Sequence, residues 1–253
     1  MNNIFLAIGI FDGVHVGHRY LLTKLITDAK NKNALSMVLT FNPHPKQVLN
    51  IQPIPKMIYS IYQRQWLLKS LGVNIIEVES FTKKFSQLSP VSFIKQTKDK
   101  IHNLQRIYVG NDFHFGCNNS GDVTILRNIC NRYNIDVIVT ENQLEYNENN
   151  KISSTNIRHY LQNIHHYNYN FNRINLLLGQ KYFMIGNIIK NVFEIINYSD
   201  NLIILPNGVY NCTLNKKINC DVNIKEGLIK IKDDIRDMDN VVIEFNDIKY
   251  LNV

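Results

Sequence analysis

Two histidines three residues apart, His15 and His18, lie in the run AIGIFDGVHVGHRYLL (Ala7–Leu22), with Gly9, Gly13 and Gly17 around them and Asp12 just upstream. Glycines let a main chain come close to a ligand. Unpaired N–H groups at the start of a helix, with the positive end of its dipole, make a place for an anion. Imidazoles in the loop and in the first turn of the following helix can aim at the same oxygens. The chemistry implied is stabilisation of charge on a phosphoryl group in transfer. The chain contains no GxxxxGK[ST] run, so this is not a P-loop. As part of a loop, the histidines are expected to face solvent, and a plain structural turn with exposed histidines is the competing reading.

Such a loop needs a strand before it and a helix after it. Ile4–Ile10 is a continuous apolar run of strand length, and from Arg19 the residues Tyr20, Leu21, Leu22, Leu25, Ile26 and Ala29 recur with helical spacing. A second buried strand, Ala34–Phe41, ends in the proline-punctuated loop NPHPKQVLNIQPIP. Ser60 caps a helix IYQRQWLLKSL that stops at Gly72 and leads into the strand VNIIEVE. Ser89-Pro90 opens another helix, with proline at its first position, before the strand RIYVG. After NDFHFGCNNSGD, where Asp122 suits a helix cap, come a helix to Tyr133 and the strand IDVIVTE. This alternation of apolar strands and helices predicts an α/β fold with a doubly wound parallel sheet covered on both faces. In such sheets ligands bind beyond the carboxyl ends of the strands. Four segments begin at or soon after those ends: FDGVHVGH, FNPHP, GNDFHFG and ISSTNIR. The last follows a polar bridge, NQLEYNENNK.

From Lys181 the texture changes to short apolar pieces separated by Asn, Gly, Asp and Pro turns, which reads as a small antiparallel unit. The predicted division is therefore residues 1–180 and 181–253. With 45% hydrophobic and 19% charged residues the chain is of ordinary globular composition rather than disordered. Its formal net charge of +7 is compatible with a polyanionic partner or phosphorylated substrates, but Asn, Ile, Lys and Tyr are all abundant, a compositional bias that accounts for much of the lysine. No nucleic-acid motif supports a nucleic-acid partner. Cys117, Cys130, Cys212 and Cys220 show neither CxxC spacing nor zinc-type histidine pairs, so free thiols in a reducing compartment are expected. His159, His165 and His166 cluster in sequence without an acidic partner at ligand spacing and read as exposed. The N-terminus has no basic region before its apolar run, and no run approaches the ~20 residues of a membrane span. A cytoplasmic protein without a membrane partner is expected.

Taken together, GxFDGxHxGH, TFNPHP, VGNDFHFG followed by GD, and ISSTNIR occur in family order over about residues 4–160. On these motifs the chain resembles the bacterial FAD synthetases, usually bifunctional riboflavin kinase/FMN adenylyltransferases of the HxGH nucleotidyltransferase superfamily. The resemblance implies a Rossmann-like nucleotidyltransferase domain over 1–180, and a reaction in which AMP passes from ATP to FMN, giving FAD and pyrophosphate, with Mg²⁺ accompanying ATP. It implies catalytic roles for His15, His18 and Arg158. It puts ATP near Gly9, Phe11, Asp12, Gly17, Ser153, Ser154, Thr155 and Arg158, and FMN near Asn42, Pro43, His44, Asn111, Asp112 and Phe113. It names no metal ligand. Simple helix capping explains Ser153 and Ser154 equally well, and Phe113 and Phe115 suit a core.

The sequence also departs from the family. His114 and Asn156 stand where arginine is frequent. The kinase module's GxPTAN-like motif has no counterpart, although LPNGVY (Leu205–Tyr210) is retained, and Glu244 lies in an alternating strand that explains it as a surface residue. The segment 181–253 is accordingly expected to be a shortened β-barrel-like domain without riboflavin kinase activity. The alternatives are a bifunctional enzyme that retains the kinase, a non-catalytic flavin- or nucleotide-binding remnant, and an HxGH transferase with another acceptor.

Overall fold

A computed structural model describes residues 2–141, 152–165, 170–196, 198–199 and 201–251. The polar bridge Asn142–Lys151 and His166 lie outside the described residues. The chain runs β1 (Ile4–Ile8), α1 (Val16–Asn31), β2 (Leu35–Asn42), α2 (Pro45–Val48), α3 (Ile61–Ser70), β3 (Ile75–Ser80), α4 (Lys83–Ser86), α5 (Pro90–Lys100), β4 (Leu104–Gly110), α6 (Val123–Asn131), β5 (Asp136–Thr140), α7 (Ser154–Gln162) and α8 (Phe171–Leu178). It continues through β6 (Phe183–Ile189), β7 (Val192–Ile195), β8 (Gly208–Leu214), β9 (Ile218–Lys225), β10 (Leu228–Ile231) and β11 (Met238–Leu251).

β1–β5 form a five-stranded sheet in the order β3-β2-β1-β4-β5, all neighbours parallel. β1 is buried on both faces, as its unbroken apolar run requires. On one face Ile4, Leu6, Ile8, Ile107 and Val109 pack with Phe93 and Ile94 of α5 and Leu126 and Ile129 of α6. The opposite face carries Phe5 beside Tyr108, whose hydroxyl donates to Asp28 of α1 at 2.9 Å. Helices thus cover both sides. The chain order reverses direction between β1 and β4, the switch point at which open α/β sheets bind ligands. Helix starts follow their sequence signals: Ser89 caps α5 and Asp122 caps α6 through side-chain oxygens.

β6–β11 close into an antiparallel barrel, ordered β10-β7-β6-β11-β8-β9 and sealed by β9 pairing with β10. Strict alternation makes its core: Cys220, Val222 and Ile224 of β9 and Val241, Ile243 and Phe245 of β11 are buried while their neighbours are not. The β6–β7 hairpin turns at Lys190 and Asn191, both at positive φ, the geometry that suits the right-handed twist of paired strands. A side chain at Gly186 would collide with the Glu194 carbonyl and the Phe193 ring, so this position of β6 requires glycine.

The chain packs as two compact units. One is built on β1–β5. The other contains the barrel, α7 and α8, and also Asp12–Val16 and Lys56–Arg64. An aromatic cluster of Phe171, Tyr182, Tyr210 and Phe245 lies at the centre of the second unit, with Tyr59 stacked on Tyr182.

Candidate functional site

The chain leaves β1 with Gly9 N–H donating to the Leu39 carbonyl at 3.1 Å and then turns sharply through residues 11–14. Phe11 (φ 52°), Gly13 (φ 80°) and Val14 (φ 42°) all adopt left-handed backbone. Glycine tolerates this, whereas a bulky or β-branched residue does so only when its surroundings impose it. A Cβ on Gly13 would lie 2.9 Å from Ile58 Cδ1, so the turn is also pressed against its neighbour.

Asp12, 1% exposed, is the anchor. Both of its carboxylate oxygens accept the Ile58 N–H at 3.1 Å, and Oδ1 accepts the Tyr59 N–H at 3.3 Å. Its Oδ2 accepts from Arg158 Nε at 3.3 Å and Nη2 at 3.1 Å. Ser154 Oγ donates to the Asp12 carbonyl at 2.8 Å. The ISSTNIR segment and the turn after β1 are thereby tied together, and Asp12, Ser154 and Arg158 become direct partners. Ser153 caps α7, accepting the Asn156 N–H at 3.3 Å; Thr155 is exposed.

Contrary to the sequence expectation, the turn is not solvent-facing. Residues 11–15 are all buried, and His15 is 7% exposed. The reason is the inward pull of Asp12, whose hydrogen bonds hold the turn against residues 58 and 59. His18 is half-buried in the first turn of α1, where Gly17 also lies. Its ring meets the edge of Phe11 at 5.3 Å between centroids, so Phe11 fixes the imidazole.

The other predicted positions follow strand ends as expected. Asn42 closes β2 and is exposed together with Pro43, whereas His44 caps α2, its Nδ1 accepting the Lys46 N–H at 3.1 Å. Asn111 and Asp112 are exposed after β4. Phe113 stacks on Phe115 at 5.4 Å; Phe115 belongs to the core and Phe113 packs partly against it. His159 and His165 are exposed. Among the described residues no group of three or more His, Cys, Asp or Glu side chains is arranged to hold a metal ion.

Sequence reading missed Arg64. It lies in the first turn of α3 and is 1% exposed. Burial pulls its guanidinium down from the usual range, and the charge of Asp12 opposes that pull. A signal existed: Arg64 shares a helical face with Leu67 and Leu68, both buried, so its side chain points inward.

A protein-family profile described as FAD synthetase matches residues 1–156. A bifunctional riboflavin kinase/FMN adenylyltransferase of Buchnera aphidicola is 34% identical over 248 residues, 91% of this chain and 77% of that protein. An FAD synthetase of Listeria monocytogenes is 32% identical over 232 residues, 88% of each chain. In fold, the chain is similar to a crystal structure titled macrolide-efflux protein from Streptococcus pneumoniae, with a TM-score of 0.77 and 22% identity over 100% of this chain and 87% of that one. That likeness concerns the fold alone. No helix among the described residues is long and apolar enough to cross a membrane.

Proposed function

The chain belongs to the FAD synthetase family, nucleotidyltransferases that make FAD from FMN and ATP, and on that premise we propose how its residues perform the step. An oxygen of the FMN phosphate attacks the α-phosphorus of ATP. The new P–O bond forms as the bond from the α-phosphorus to the bridging oxygen breaks, and pyrophosphate leaves with that electron pair. No covalent enzyme intermediate is needed. Negative charge grows on the oxygens around the α-phosphorus and on the leaving group, and catalysis consists of placing fixed positive charge there.

His15, in the turn after β1, and His18, in the first turn of α1, direct ring N–H groups at those oxygens, and Arg158 adds a guanidinium. The observation that carries this reading is the bond of Arg158 to Asp12, which ties the arginine of ISSTNIR to the turn that ends in His15. Two of the three guanidinium nitrogens serve Asp12, so the arginine is held in place while its remaining edge serves phosphate. Ser153, Ser154, Thr155, Gly9, Phe11 and Gly17 complete the ATP side. Asn42, Pro43, His44, Asn111, Asp112 and Phe113 form the FMN side, beyond the ends of β2 and β4. The described residues offer no protein-built cation cage; Mg²⁺ enters this reading only as the companion of the ATP phosphates, and no step is routed through it. Residues 1–180 carry the transfer, and a cytoplasmic setting supplies both substrates.

A second activity, riboflavin phosphorylation, is raised by the name of the Buchnera relative. The lack of a PTAN run in the sequence between β6 and β8 speaks against it, and Glu244 alternates with buried Ile243 and Phe245 as an outward strand residue. One assay tests both readings. The purified protein receives ATP and Mg²⁺ with either FMN or riboflavin, and products are separated by chromatography. FAD from FMN without FMN from riboflavin is expected. FMN from riboflavin would establish the kinase, and no FAD from FMN would overturn the transferase.

A further inference from the structure

We infer that Gln63 is a positioning residue for adenylyl transfer: bonded to the first residue of β6, it makes the barrel a brace for residues 56–64, whose amides hold the carboxylate that shapes the turn ending in His15. The inference rests on the reading above, that this turn acts on phosphate, and it gives the barrel a mechanical part in the step rather than a chemical one.

The turn does not hold its own shape. Val14, a β-branched residue, sits at φ 42°, which such a side chain keeps only where its surroundings impose it. The Asp12 carboxylate ties the turn down by accepting the N–H groups of Ile58 and Tyr59 at 3.1 and 3.3 Å. Those amides anchor it only as firmly as their own segment is held, and that segment is fastened to the barrel side of the unit. Met57 N–H donates to the Asn201 carbonyl at 2.6 Å and the Met57 carbonyl accepts the Ile203 N–H at 2.9 Å, a parallel bridge to the chain that leads into β8. Met57, Leu202 and Ile203 are all buried. The Tyr59 ring stacks on Tyr182 at 5.8 Å and lies against Phe183 at 4.8 Å between centroids.

Gln63, 1% exposed, closes the brace at the start of α3. It exchanges reciprocal bonds with Ser60, whose N–H donates to Gln63 Oε1 at 3.1 Å and whose Oγ accepts the Gln63 N–H at 3.3 Å, the arrangement of a capping box. Its Nε2 donates to the Phe183 carbonyl at 3.1 Å, across 120 residues of sequence. The box asks only for an acceptor at position 63, which a glutamate would supply as well. The bond to Phe183 asks for a donor, and it is this bond that requires an amide. Phe183 is itself held in the barrel ladder opposite Glu244 of β11, so the anchor belongs to a closed, hydrogen-bonded body. A shift of residues 58 and 59 would move Asp12, and with it both the turn and Arg158, whose Nε and Nη2 bind the same carboxylate.

The test measures kcat and KM for FAD formation by the full chain carrying Gln63→Leu or Gln63→Glu, each against the wild-type protein at the same pH. Gln63→Leu is expected to lower kcat about tenfold at every pH with KM for ATP within about threefold, the pattern seen when stabilisation specific to the transition state is removed. Gln63→Glu keeps the acceptor for Ser60 but donates to the Phe183 carbonyl only while protonated. Burial raises a carboxyl pKa, to about 8–9 in documented cases, so the bond is present below that pKa and lost above it. The kcat of Gln63→Glu relative to wild type should therefore rise several-fold as the pH falls from about 9 to about 6. Wild-type kcat in Gln63→Leu, or a flat ratio in Gln63→Glu, would overturn the proposal; should Gln63→Leu not fold, the ratio in Gln63→Glu decides alone. If the wild-type protein makes no FAD, the transferase reading fails on its own, and amide hydrogen exchange then decides the brace. Gln63→Leu, or Gln63→Glu at the alkaline end, should speed exchange at Ile58 and Tyr59 while β9 keeps its wild-type rates; unchanged rates at those two amides, or a rise that β9 shares equally, sinks it.

Discussion

The turn of residues 11–15 and the barrel of β6–β11 are both buried, by opposite means. The turn buries a carboxylate and an imidazole and keeps strained backbone in place through directed hydrogen bonds. The barrel buries alternating aliphatic, aromatic and thiol side chains; among the described residues none of its strands buries a charged side chain. Buried charge is costly unless paired, so a fold retains it where geometry matters more than stability. The difference is the one expected if, as proposed, the turn carries the chemistry and the barrel is a packed body.

Substitutions can break this contrast or sharpen it. Phe245 touches Phe171, Tyr182 and Tyr210 and is fully buried. Phe245→Ala should cost about 3–5 kcal/mol in denaturant unfolding, with the rate of FAD formation per folded molecule retained. Loss of rate without loss of stability would give the barrel a chemical role. His18→Ala should do the reverse, lowering kcat by about 10²- to 10³-fold, as removal of one transition-state donor does, while the thermal midpoint barely moves. His15→Ala should slow turnover comparably and also lower the midpoint, since that ring is buried. Near-normal rates in both variants would reject the site.

Two glycines at matching backbone angles allow a finer comparison. A Cβ added at Gly13 (φ 80°) would meet Ile58 at 2.9 Å, whereas one added at Gly227 (φ 81°) in the β9–β10 turn would meet nothing within 4 Å. Gly227→Ala should cost about 1 kcal/mol from backbone strain alone, and Gly13→Ala about 1–3 kcal/mol. Only Gly13→Ala should reduce kcat. Equal effects on stability and none on rate would remove the turn's special status.

The smallest effect expected is chemical. Burial pushes the Cys130 and Cys220 thiols up to about 12 and raises Cys212 as well, so these sulfurs stay protonated in the folded protein through ordinary pH. Cys117 is half-buried. Alkylation of the native protein near pH 8, read by mass spectrometry, should label Cys117 first, with the other three reacting on unfolding. Rapid native labelling of Cys212 or Cys220 would show that the barrel opens.

How far sequence reading reached depends on the range of the interaction. The strands of the sheet were legible because residues buried on both faces make near-continuous apolar runs, as in Ile4–Ile8 and, interrupted only by Ser36 and Thr40, in residues 35–41. Caps were legible because a cap acts within three residues, as Ser60, Ser89 and Asp122 do. The barrel strands were visible as alternation between Asn- and Gly-rich turns, and these turns hold the positive-φ residues Lys190, Asn191, Asn215, Lys216, Glu226 and Gly227. The burial of His15 was not legible, since it depends on Asp12 meeting amides 46 and 47 residues away. Arg64 was missed because α3 looks like any helix until the packing around its inward face, where Arg64 is 1% exposed, is known. Asp12 and His44 show a third limit. Each stands within a recognisable motif, yet one is held by backbone amides and an arginine and the other caps a helix, roles that a motif does not spell out.

That the histidine turn promotes transfer of AMP from ATP to FMN is tested most directly by giving the protein FMN and ATP labelled with phosphorus-32 at the α-position, then following the label. Labelled FAD and unlabelled pyrophosphate are expected, with the labelled product nearly abolished in His18→Ala. Labelled ATP left intact beside FMN, or labelled FAD formed as fast by His18→Ala as by the wild-type chain, would contradict it.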